Sequence, residues 1–189
     1  HQTRPAFTGN FLAKVVTSSV PTMATVRYRS LEAPAPDSSR NGEIVEKKAE
    51  TVASPVKVLG KGQAKEASIA GADIVVCAGR GLKKAEDFTM IQELADALGG
   101  VVGATRPLVD DGWISKDHQV GFSGTIVKPK LYVGCGVSGS PQHLAGMRES
   151  GTIVAINSDP SVALFRIADY AVVGDIYEIV PQMVEKLKS

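Results

Sequence analysis

The sequence has little of several residue types that would mark a particular class of protein. It has two cysteines in 189 residues, and aromatic residues make up only 5% of it. Neither cysteine has a C-x-x-C partner, so the sequence offers no disulfide framework, zinc site or redox-active dithiol. Cys77 and Cys135 each fall in an apolar segment. We predict that both are small core residues of a protein from a reducing compartment.

An excess of one charge and a long hydrophobic run are also missing. The formal net charge is +1, and no basic stripe with interleaved aromatic residues is present, so nucleic acid is not an expected partner. No apolar run approaches the roughly 20 residues of a membrane-spanning helix, and we expect no membrane insertion. The sequence also lacks a Ser-His-Asp order, a metal-ligand cluster and a close carboxylate pair. We therefore predict no catalytic residue and no bound metal.

Hydrophobic residues, at 43% of the chain, are frequent enough for a substantial core. After residue 71, short apolar segments typical of buried strands alternate with segments whose apolar residues recur at helical spacing. This alternation favours the α/β class: a mainly parallel five-stranded sheet with helices on both faces, doubly wound and Rossmann-like. Strands are predicted over 72–78, 101–105, 131–133, 153–156 and 170–173, and helices over 64–70, 84–98, 141–149, 162–168 and 176–187.

The front of the chain has a different character. Residues 1–45 contain β-rich pieces near 15–17 and 25–28 and a Pro- and Ser-rich linker, which is too little to close a core. We predict that residues 1–45 are a remnant or arm of a larger body and that residues 46–189 form the compact domain. A long irregular segment over 107–122 is predicted to be functional, since loops of that length are uncommon in compact domains.

The most informative stretch is the glycine-rich segment from Leu131 to Asn157. It predicts a strand, a turn with glycines in G-x-G-x-x-G order at 134, 136 and 139, a helix beginning near Pro141, and a second strand. Backbone amides at a helix start, reached through glycines without side chains, suit a phosphate group. Because the same glycines also serve close packing of a strand against a helix, the motif predicts a nucleotide site of moderate specificity.

Polar side chains follow the predicted strands at their carboxyl ends. Arg80, Arg106, the segment 138–143, Asn157 and Asp175 come after the strands in turn. In a doubly wound sheet these ends lie along one edge, where ligands bind. Two arginines there favour a polyanionic ligand or an electron-rich ring, because a guanidinium pairs with phosphate and stacks on aromatic groups. The alternative is that each arginine is a solvated strand-end residue.

Two further residues have alternative interpretations. Asp159 lies twenty residues after Gly139, the position of the acidic ribose ligand in dinucleotide-binding folds. With Pro160 beside it, Asp159 suits a helix N-cap equally well. His143, in the first turn after Pro141, suits either a hydrogen bond to a ligand or the role of a capping or surface histidine. The residues alone leave both alternatives open.

Between Ala72 and Leu187 the sequence resembles the flavin domain of the electron transfer flavoprotein α-subunit. The resemblance covers roughly three-fifths of the chain, and its most specific element is Gln-His-Leu-Ala-Gly-Met, followed by Ala-Ile-Asn in the next predicted strand. Residues 4–7 resemble the end of that subunit's N-terminal domain, so we expect a C-terminal piece of the subunit. The matching segments are 79–82, 102–106, 119–124, 136–147, 154–159 and 168–170.

The resemblance implies an FAD-dependent electron carrier rather than a classical enzyme. It implies the family's β-subunit as partner, a flavin dehydrogenase such as an acyl-CoA dehydrogenase as donor, and a quinone-reducing or other redox acceptor. It also implies a cytoplasmic location, or the mitochondrial matrix in a eukaryote. Two other functions stay open: a non-redox module that binds NAD on the same sheet, and an apo scaffold for a partner subunit.

The resemblance also implies which residues contact FAD. Arg106 is expected against the isoalloxazine ring, Ser123 near flavin N5, and Gln142 and His143 at the carbonyl edge of the ring. Phe122 departs from the family, which commonly has glutamine there, so an aromatic contact replaces an amide and is expected to shift the flavin potential.

The remaining expected contacts lie toward the other end of the cofactor. The turn 138–141 is expected at the phosphates, and Asn157 and Asp175 at the adenosine. The full set of expected FAD contacts is Arg80, Thr105, Arg106, Val120, Gly121, Phe122, Ser123, Ser138, Gly139, Ser140, Pro141, Gln142, His143, Asn157, Asp175 and Ile176.

Overall fold

A computed structural model describes residues 1–6, 11–26, 31, 33–48, 56–57, 59–60 and 68–189. The predicted β-rich residues 27–28 and residues 64–67 of the predicted first helix lie outside this part. By internal contacts the chain divides into two units, residues 1–22 with 66–189 and residues 23–65. The predicted domain boundary at 45/46 stays a prediction.

The second unit, residues 23–65, contains no helix or strand among its described residues. Its one described backbone turn is closed by the Arg40 amide, which donates to the Asp37 carbonyl at 3.2 Å. The Asp37 carboxylate also accepts hydrogen bonds from the Ser39 amide and hydroxyl, which lowers the pKa of Asp37.

The first unit contains a small hairpin and a larger sheet. Strands β1 (Gln2–Ala6) and β2 (Phe11–Val15) pair antiparallel. The larger sheet has five parallel strands in the order β4-β3-β5-β6-β7, which confirms the predicted α/β class. Its strands are β3 (Ile74–Ala78), β4 (Val101–Ala104), β5 (Leu131–Cys135), β6 (Thr152–Asn157) and β7 (Tyr170–Val173).

The helices are short except for two. They are α1 (Phe88–Leu98), α2 (Arg106–Asp110), α3 (Pro141–Leu144) and α4 (Ile176–Lys188), with single 3₁₀ turns at Ile69–Gly71, Ala85–Asp87, Lys116–His118 and Ala163–Arg166. Helix α1 ends at Leu98 and is followed by Gly99, whose φ of 68° is the left-handed conformation that glycine adopts without strain. Helix α4 is capped at its N-terminus by the preceding residue, Asp175, whose side chain accepts the Tyr177 amide.

Hydrophobic residues are buried on both faces of the sheet. On one face, Ile91 and Leu94 of α1 and Val180 and Val184 of α4 pack against Val76 and its neighbours on adjacent strands. On the other face the cover is made of short turns and loops, which contribute Ile69, Val120, Val127, Met147 and Leu164. Helices on both faces were predicted, but among the described residues the second face is covered by the 3₁₀ turns Ile69–Gly71 and Ala163–Arg166, the brief helix α3 and loops.

Several predicted boundaries are wrong, and the start of α1 has a clear local reason. The helix predicted from residue 84 begins at Phe88, because Asp87 accepts the Lys84 amide in a preceding 3₁₀ turn. The helix predicted over 141–149 ends at Leu144. The segment 107–122, predicted to be irregular, contains most of α2 and a 3₁₀ turn.

The strand order defines where a ligand would bind. The chain leaves β3 for β4 on one side and then returns to β5 on the other side of β3. The order of the strands therefore reverses between β3 and β5. In doubly wound sheets, ligands bind beyond the carboxyl ends of the strands at this point.

Candidate functional site

The parallel sheet brings the predicted strand-end residues to one edge. Arg80, Thr105 and Asp175 each follow the carboxyl end of a different strand of the sheet, and Asn157 is the last residue of β6. Exposed members of the predicted set are Arg80, Arg106, Phe122, Ser123, Ser138, Ser140, Pro141, Gln142 and Asp175; buried members are Val120, Gly121, Gly139, His143 and Ile176; Thr105 and Asn157 are half-buried.

The glycine turns after β3 and β5 pack directly against each other. The Gly81 amide donates to the Gly136 carbonyl at 3.1 Å, and a Cβ on Gly81 would lie 2.6 Å from the Gly136 Cα. Gly139, with a φ of +81°, is equally close to Leu164. The glycine motif therefore serves backbone packing at the switch point, whatever ligand binds beside it.

Thr105 has a buried polar atom without a partner. Among the described residues, its hydroxyl oxygen is the one buried side-chain nitrogen or oxygen that has no hydrogen-bond partner. Thr105 follows β4 directly and precedes α2. Buried hydroxyls are usually satisfied, so an unsatisfied one at a sheet edge indicates a place where a ligand atom would bond.

Arg106, the next residue, has a partner that the sequence analysis missed. Its Nε donates to the Asp110 carboxylate at 3.1 Å, one turn along α2, and the two side chains are 66% and 59% exposed. An exposed pair of this kind contributes about 0–1 kcal/mol. The guanidinium is therefore held only weakly and is free to exchange Asp110 for a ligand.

The segment 119–125 is bonded to β4 on one side and to α3 on the other. The Val120 amide donates to the Ala104 carbonyl at 2.9 Å, and the Phe122 amide donates to the Gln142 carbonyl at 2.8 Å. Within the segment, the Gln119 side-chain amide donates to the Ser123 hydroxyl at 2.9 Å. The predicted ring contacts from Val120 to Ser123 thus sit on a fixed backbone, with the Phe122 side chain 59% exposed.

His143 is buried, and both of its ring nitrogens have partners inside the protein. Nε2 lies 2.7 Å from the Tyr132 hydroxyl and Nδ1 lies 3.2 Å from the Val120 carbonyl. Burial lowers the pKa of His143 from 6.5 to about 4, so the ring is neutral at physiological pH. This excludes a surface histidine. A direct contact between His143 and a cofactor stays a prediction.

Asn157 at the end of β6 and Asp159 in the turn after it bond to nearby groups of the protein. Asn157 donates to the Val137 carbonyl at 3.1 Å and accepts the Asp159 amide at 3.0 Å. Asp159 in turn accepts the Ser161 hydroxyl and amide, which lowers the pKa of Asp159. Asp159 therefore closes a local turn and does not cap the next 3₁₀ turn, whose N-cap is Val162, while the ribose contact stays an open alternative.

A second network, also missed by sequence reasoning, ties α4 to the loop after β3. The Tyr177 hydroxyl donates to the Asp87 carboxylate and accepts the Lys83 amide, the latter at 2.7 Å. The Lys83 ammonium lies 4.5 Å from the centre of the Tyr177 ring. Because its members lie about 90 positions apart, no periodic pattern in the sequence could have predicted this network. The pair of Arg106 and Asp110, four residues apart, could have been predicted from its spacing if α2 had been predicted.

The two cysteines are core residues, as predicted. Cys77 packs on one face of the sheet and Cys135 on the other. Burial raises the pKa of each thiol to about 12, so neither is a thiolate at neutral pH. Within the described ranges no group of three or more His, Cys, Asp and Glu residues is arranged to hold a metal, and no helix there is long and apolar enough to cross a membrane.

The parallel sheet, its glycine turns and the polar groups at its carboxyl edge define an α/β domain of the nucleotide-binding class. Residues 68–148 match the family model of the electron transfer flavoprotein FAD-binding domain, and residues 1–52 match that of the electron transfer flavoprotein domain.

Similar curated proteins carry the same family name. The chain is 46% identical over its whole length to an electron transfer flavoprotein subunit alpha from Thermoanaerobacterium thermosaccharolyticum, of which it spans 58%. It is 41% identical over 99% of its length to the subunit alpha from Megasphaera elsdenii, of which it spans 57%. A mitochondrial subunit alpha from Dictyostelium discoideum is 40% identical over 98% of the chain, which spans 55% of it. The chain thus spans somewhat over half the length of these relatives, and it belongs to the electron transfer flavoprotein α-subunit family.

The cofactor of the matching family domain is FAD, and the residues present fit it. The unpartnered Thr105 hydroxyl supplies a polar group for a ligand. The glycine turns keep side chains away from the switch point, which suits the close approach of a pyrophosphate to the backbone. The predicted family and cofactor are confirmed at this level, whereas the individual contacts stay predictions.

Proposed function

We propose that this chain binds FAD along the carboxyl edge of its five-stranded sheet and acts as the FAD-binding domain of an electron-carrying α-subunit. The observation that supports this most directly is the buried Thr105 hydroxyl without a partner, at the end of β4. Leaving such a group unsatisfied costs about 1–3 kcal/mol, and a ligand that bonds to it removes that cost. The family match over residues 68–148 indicates which ligand this is.

In this proposal the end of β4 and the segment 119–125 hold the flavin ring. The Arg106 guanidinium releases Asp110 and lies against the ring, where its charge favours the negatively charged reduced form. The Ser123 hydroxyl lies near N5. Bound FAD supplies the redox chemistry, and these side chains orient it and set its potential. Other proposed contacts are Arg80, Val120, Gly121, Phe122, Ser138, Gly139, Ser140, Pro141, Gln142, His143, Asn157, Asp175 and Ile176.

The roles of the whole subunit are part of the same proposal. The chain pairs with a β-subunit of its family, accepts electrons from a flavin dehydrogenase such as an acyl-CoA dehydrogenase, and passes them to a quinone-reducing or other acceptor. Its location is the cytoplasm, or the mitochondrial matrix in a eukaryote. Relatives named as α-subunits at 40–46% identity support this assignment.

Calorimetric titration of the cofactor-free chain with FAD, FMN and NAD tests the proposal. We expect FAD to bind and to turn the protein yellow, FMN to bind more weakly because it lacks the adenosine, and NAD not to compete. Binding of NAD without binding of FAD would overturn the proposal in favour of a non-redox module. If no ligand binds either the chain or its complex with a co-expressed β-subunit, the scaffold function is correct instead.

A further inference from the structure

Tyr177, in the first turn of α4, joins that helix to the loop of residues 79–84 that follows β3. Its hydroxyl accepts a hydrogen bond from the Lys83 amide at 2.7 Å and donates one to the Asp87 carboxylate. The Tyr177 amide donates to the Asp175 side chain at 2.9 Å. One half-buried tyrosine therefore connects the loop after β3 to the start of the helix after β7, although β5 and β6 lie between these strands in the sheet.

The donors and acceptors in this network follow from the chemistry of its members. The Lys83 amide only donates, so the Tyr177 oxygen accepts it with a lone pair and its own proton is left for Asp87. The hydrogen bond from Tyr177 is the main cause that lowers the pKa of Asp87, so this carboxylate is ionised at neutral pH and only accepts. The Lys83 ammonium, 4.5 Å from the centre of the tyrosine ring, adds a cation–π contact.

The loop of residues 79–84, which we call the Arg80 loop, is held at two places. The amides on either side of Arg80, those of Gly79 and Gly81, donate at 2.9 and 3.1 Å to carbonyls at the end of β5 and in the turn after it. Two residues further on, the Lys83 amide is held by the Tyr177 hydroxyl. The exposed Arg80 side chain lies between these places, so the position of its backbone depends on the tyrosine as well as on the glycine turn.

We propose that Tyr177 is a positioning residue for the diphosphate and adenosine part of FAD, acting through the Arg80 loop. This rests on the proposed function, in which Arg80 and Asp175 contact the cofactor. A guanidinium bonds phosphate oxygens in a paired geometry that is sensitive to its placement. By bonding the Arg80 loop to the helix that Asp175 caps, the tyrosine keeps the guanidinium within reach of a ligand that also extends to α4.

The first test compares Tyr177→Phe with Tyr170→Phe, which removes a hydroxyl from an exposed tyrosine on β7. In the cofactor-free protein, we expect Tyr177→Phe to speed hydrogen exchange of the Lys83 amide, because the acceptor of that amide is gone. We expect the Kd for FAD and the Kd for ADP to rise by the same factor, roughly 3- to 10-fold as for one lost hydrogen bond, while the potential of the bound flavin is unchanged. Tyr170→Phe should change none of these quantities.

The comparison of FAD with ADP shows which part of the cofactor the tyrosine serves. A weaker affinity for FAD with an unchanged affinity for ADP, or a shifted flavin potential, would overturn the inference, since the tyrosine would then act on the ring. Faster exchange at Lys83 with both affinities unchanged would make Tyr177 a structural link only and would also overturn it.

A double-mutant cycle with Arg80 separates positioning from a general loss of stability. If the tyrosine acts through the Arg80 loop, Tyr177→Phe should raise the Kd for FAD of Arg80→Ala by less than about twofold, because coupled residues are not additive. Ile153→Val removes a methylene from the core on the opposite face of the sheet and should lower the thermal midpoint without changing either Kd. An equal effect of Tyr177→Phe with and without Arg80 would mean that the inference is wrong.

A matched pair at Asp87 applies if Tyr177→Phe does not fold. Asp87→Asn and Asp87→Ala both remove the negative charge, but only asparagine keeps an oxygen that accepts the Tyr177 hydroxyl. The inference predicts weaker binding of FAD and ADP in Asp87→Ala than in Asp87→Asn, and equal binding in the two variants would contradict it.

Failure of the proposed function would give a different result. A wild-type chain that binds ADP but not FAD would overturn the flavin assignment, and the same variants would then test the inference with ADP alone. A wild-type chain that binds neither would overturn the inference together with the proposed site.

Discussion

The two halves of the sheet edge differ in how completely their polar groups are bonded. We call the end of β4, with Thr105, Arg106 and the segment 119–125, the ring half. The adenosine half comprises Asn157 and the start of α4 at Asp175. In the ring half, Thr105 has a hydroxyl without a partner and Arg106 has only an exposed ion pair. In the adenosine half, Asn157 and Asp175 are bonded to backbone groups close by.

This difference suggests how each half would contribute to binding. The adenosine half is already assembled, so its side chains stabilise the fold and the site by the same hydrogen bonds. The ring half gains bonds when a ligand arrives. Substitutions in the adenosine half should therefore weaken stability and binding together, whereas those at Thr105 and Arg106 should change binding or potential with little loss of stability.

The largest expected effect is a loss of folding stability in acid. It acts through His143, whose ring is bonded to the Val120 carbonyl in the ring half. The pKa of His143 is about 4 in the folded protein and 6.5 as its ordinary value. Because the unfolded chain binds the proton more readily, stability is complete above pH 6.5 and falls as the pH drops toward 4, by about 3 kcal/mol in all. Urea unfolding at several pH values measures this, and His143→Gln should remove the slope in that window. An equal slope in the variant would assign the acid sensitivity to other groups.

Next in size is the loss of the Asp175 cap in the adenosine half. Asp175→Ala removes the acceptor of the Tyr177 amide and should cost about 1 kcal/mol of unfolding free energy. We expect FAD affinity to fall as well, while Asp175→Ser restores most of the stability because serine also caps helices. Chemical denaturation and calorimetry measure both quantities. A loss of affinity with unchanged stability would contradict the distinction between the halves.

The pair Arg106 and Asp110 should shift the flavin potential in opposite directions. Arg106→Ala removes a positive charge and should lower the one-electron potential of bound FAD, whereas Asp110→Asn frees the guanidinium and should raise it. Each shift should be on the order of tens of millivolts, since about 59 mV corresponds to a tenfold change and exposed charges are screened by water. Spectroelectrochemical titration measures both. Equal potentials in the two variants would mean that Arg106 does not lie on the flavin.

The sequence predicted the architecture of the sheet domain well because its signals are local. Strand β7 was predicted to the residue, and α4 to within a residue at its C-terminal end. Alternation of strands and helices was enough to predict a parallel sheet. Helix α2 was missed although Pro107 stands in its first turn, a position that proline favours, because the residues after it lack helical periodicity.

The site was predictable in location but not in its internal bonds. Parallel strands place Thr105, Asn157 and Asp175 at one edge, which follows from topology alone. The bond from Tyr132 to His143 depends on how α3 sits on the sheet, and that packing leaves no pattern along the chain. The sequence could not show that His143 is buried, because one histidine in a helical turn fits a surface position equally well.

Thr105→Val is the most direct test of the central claim that the ring half gains its bonds from a ligand. The substitution replaces a hydroxyl by a methyl group at the atom that has no partner. In the cofactor-free protein we predict unchanged or slightly increased stability, because no hydrogen bond is lost. We also predict a Kd for FAD that is roughly 2- to 10-fold higher, as for one missing hydrogen bond. Clearly lower stability with unchanged FAD affinity would contradict the claim.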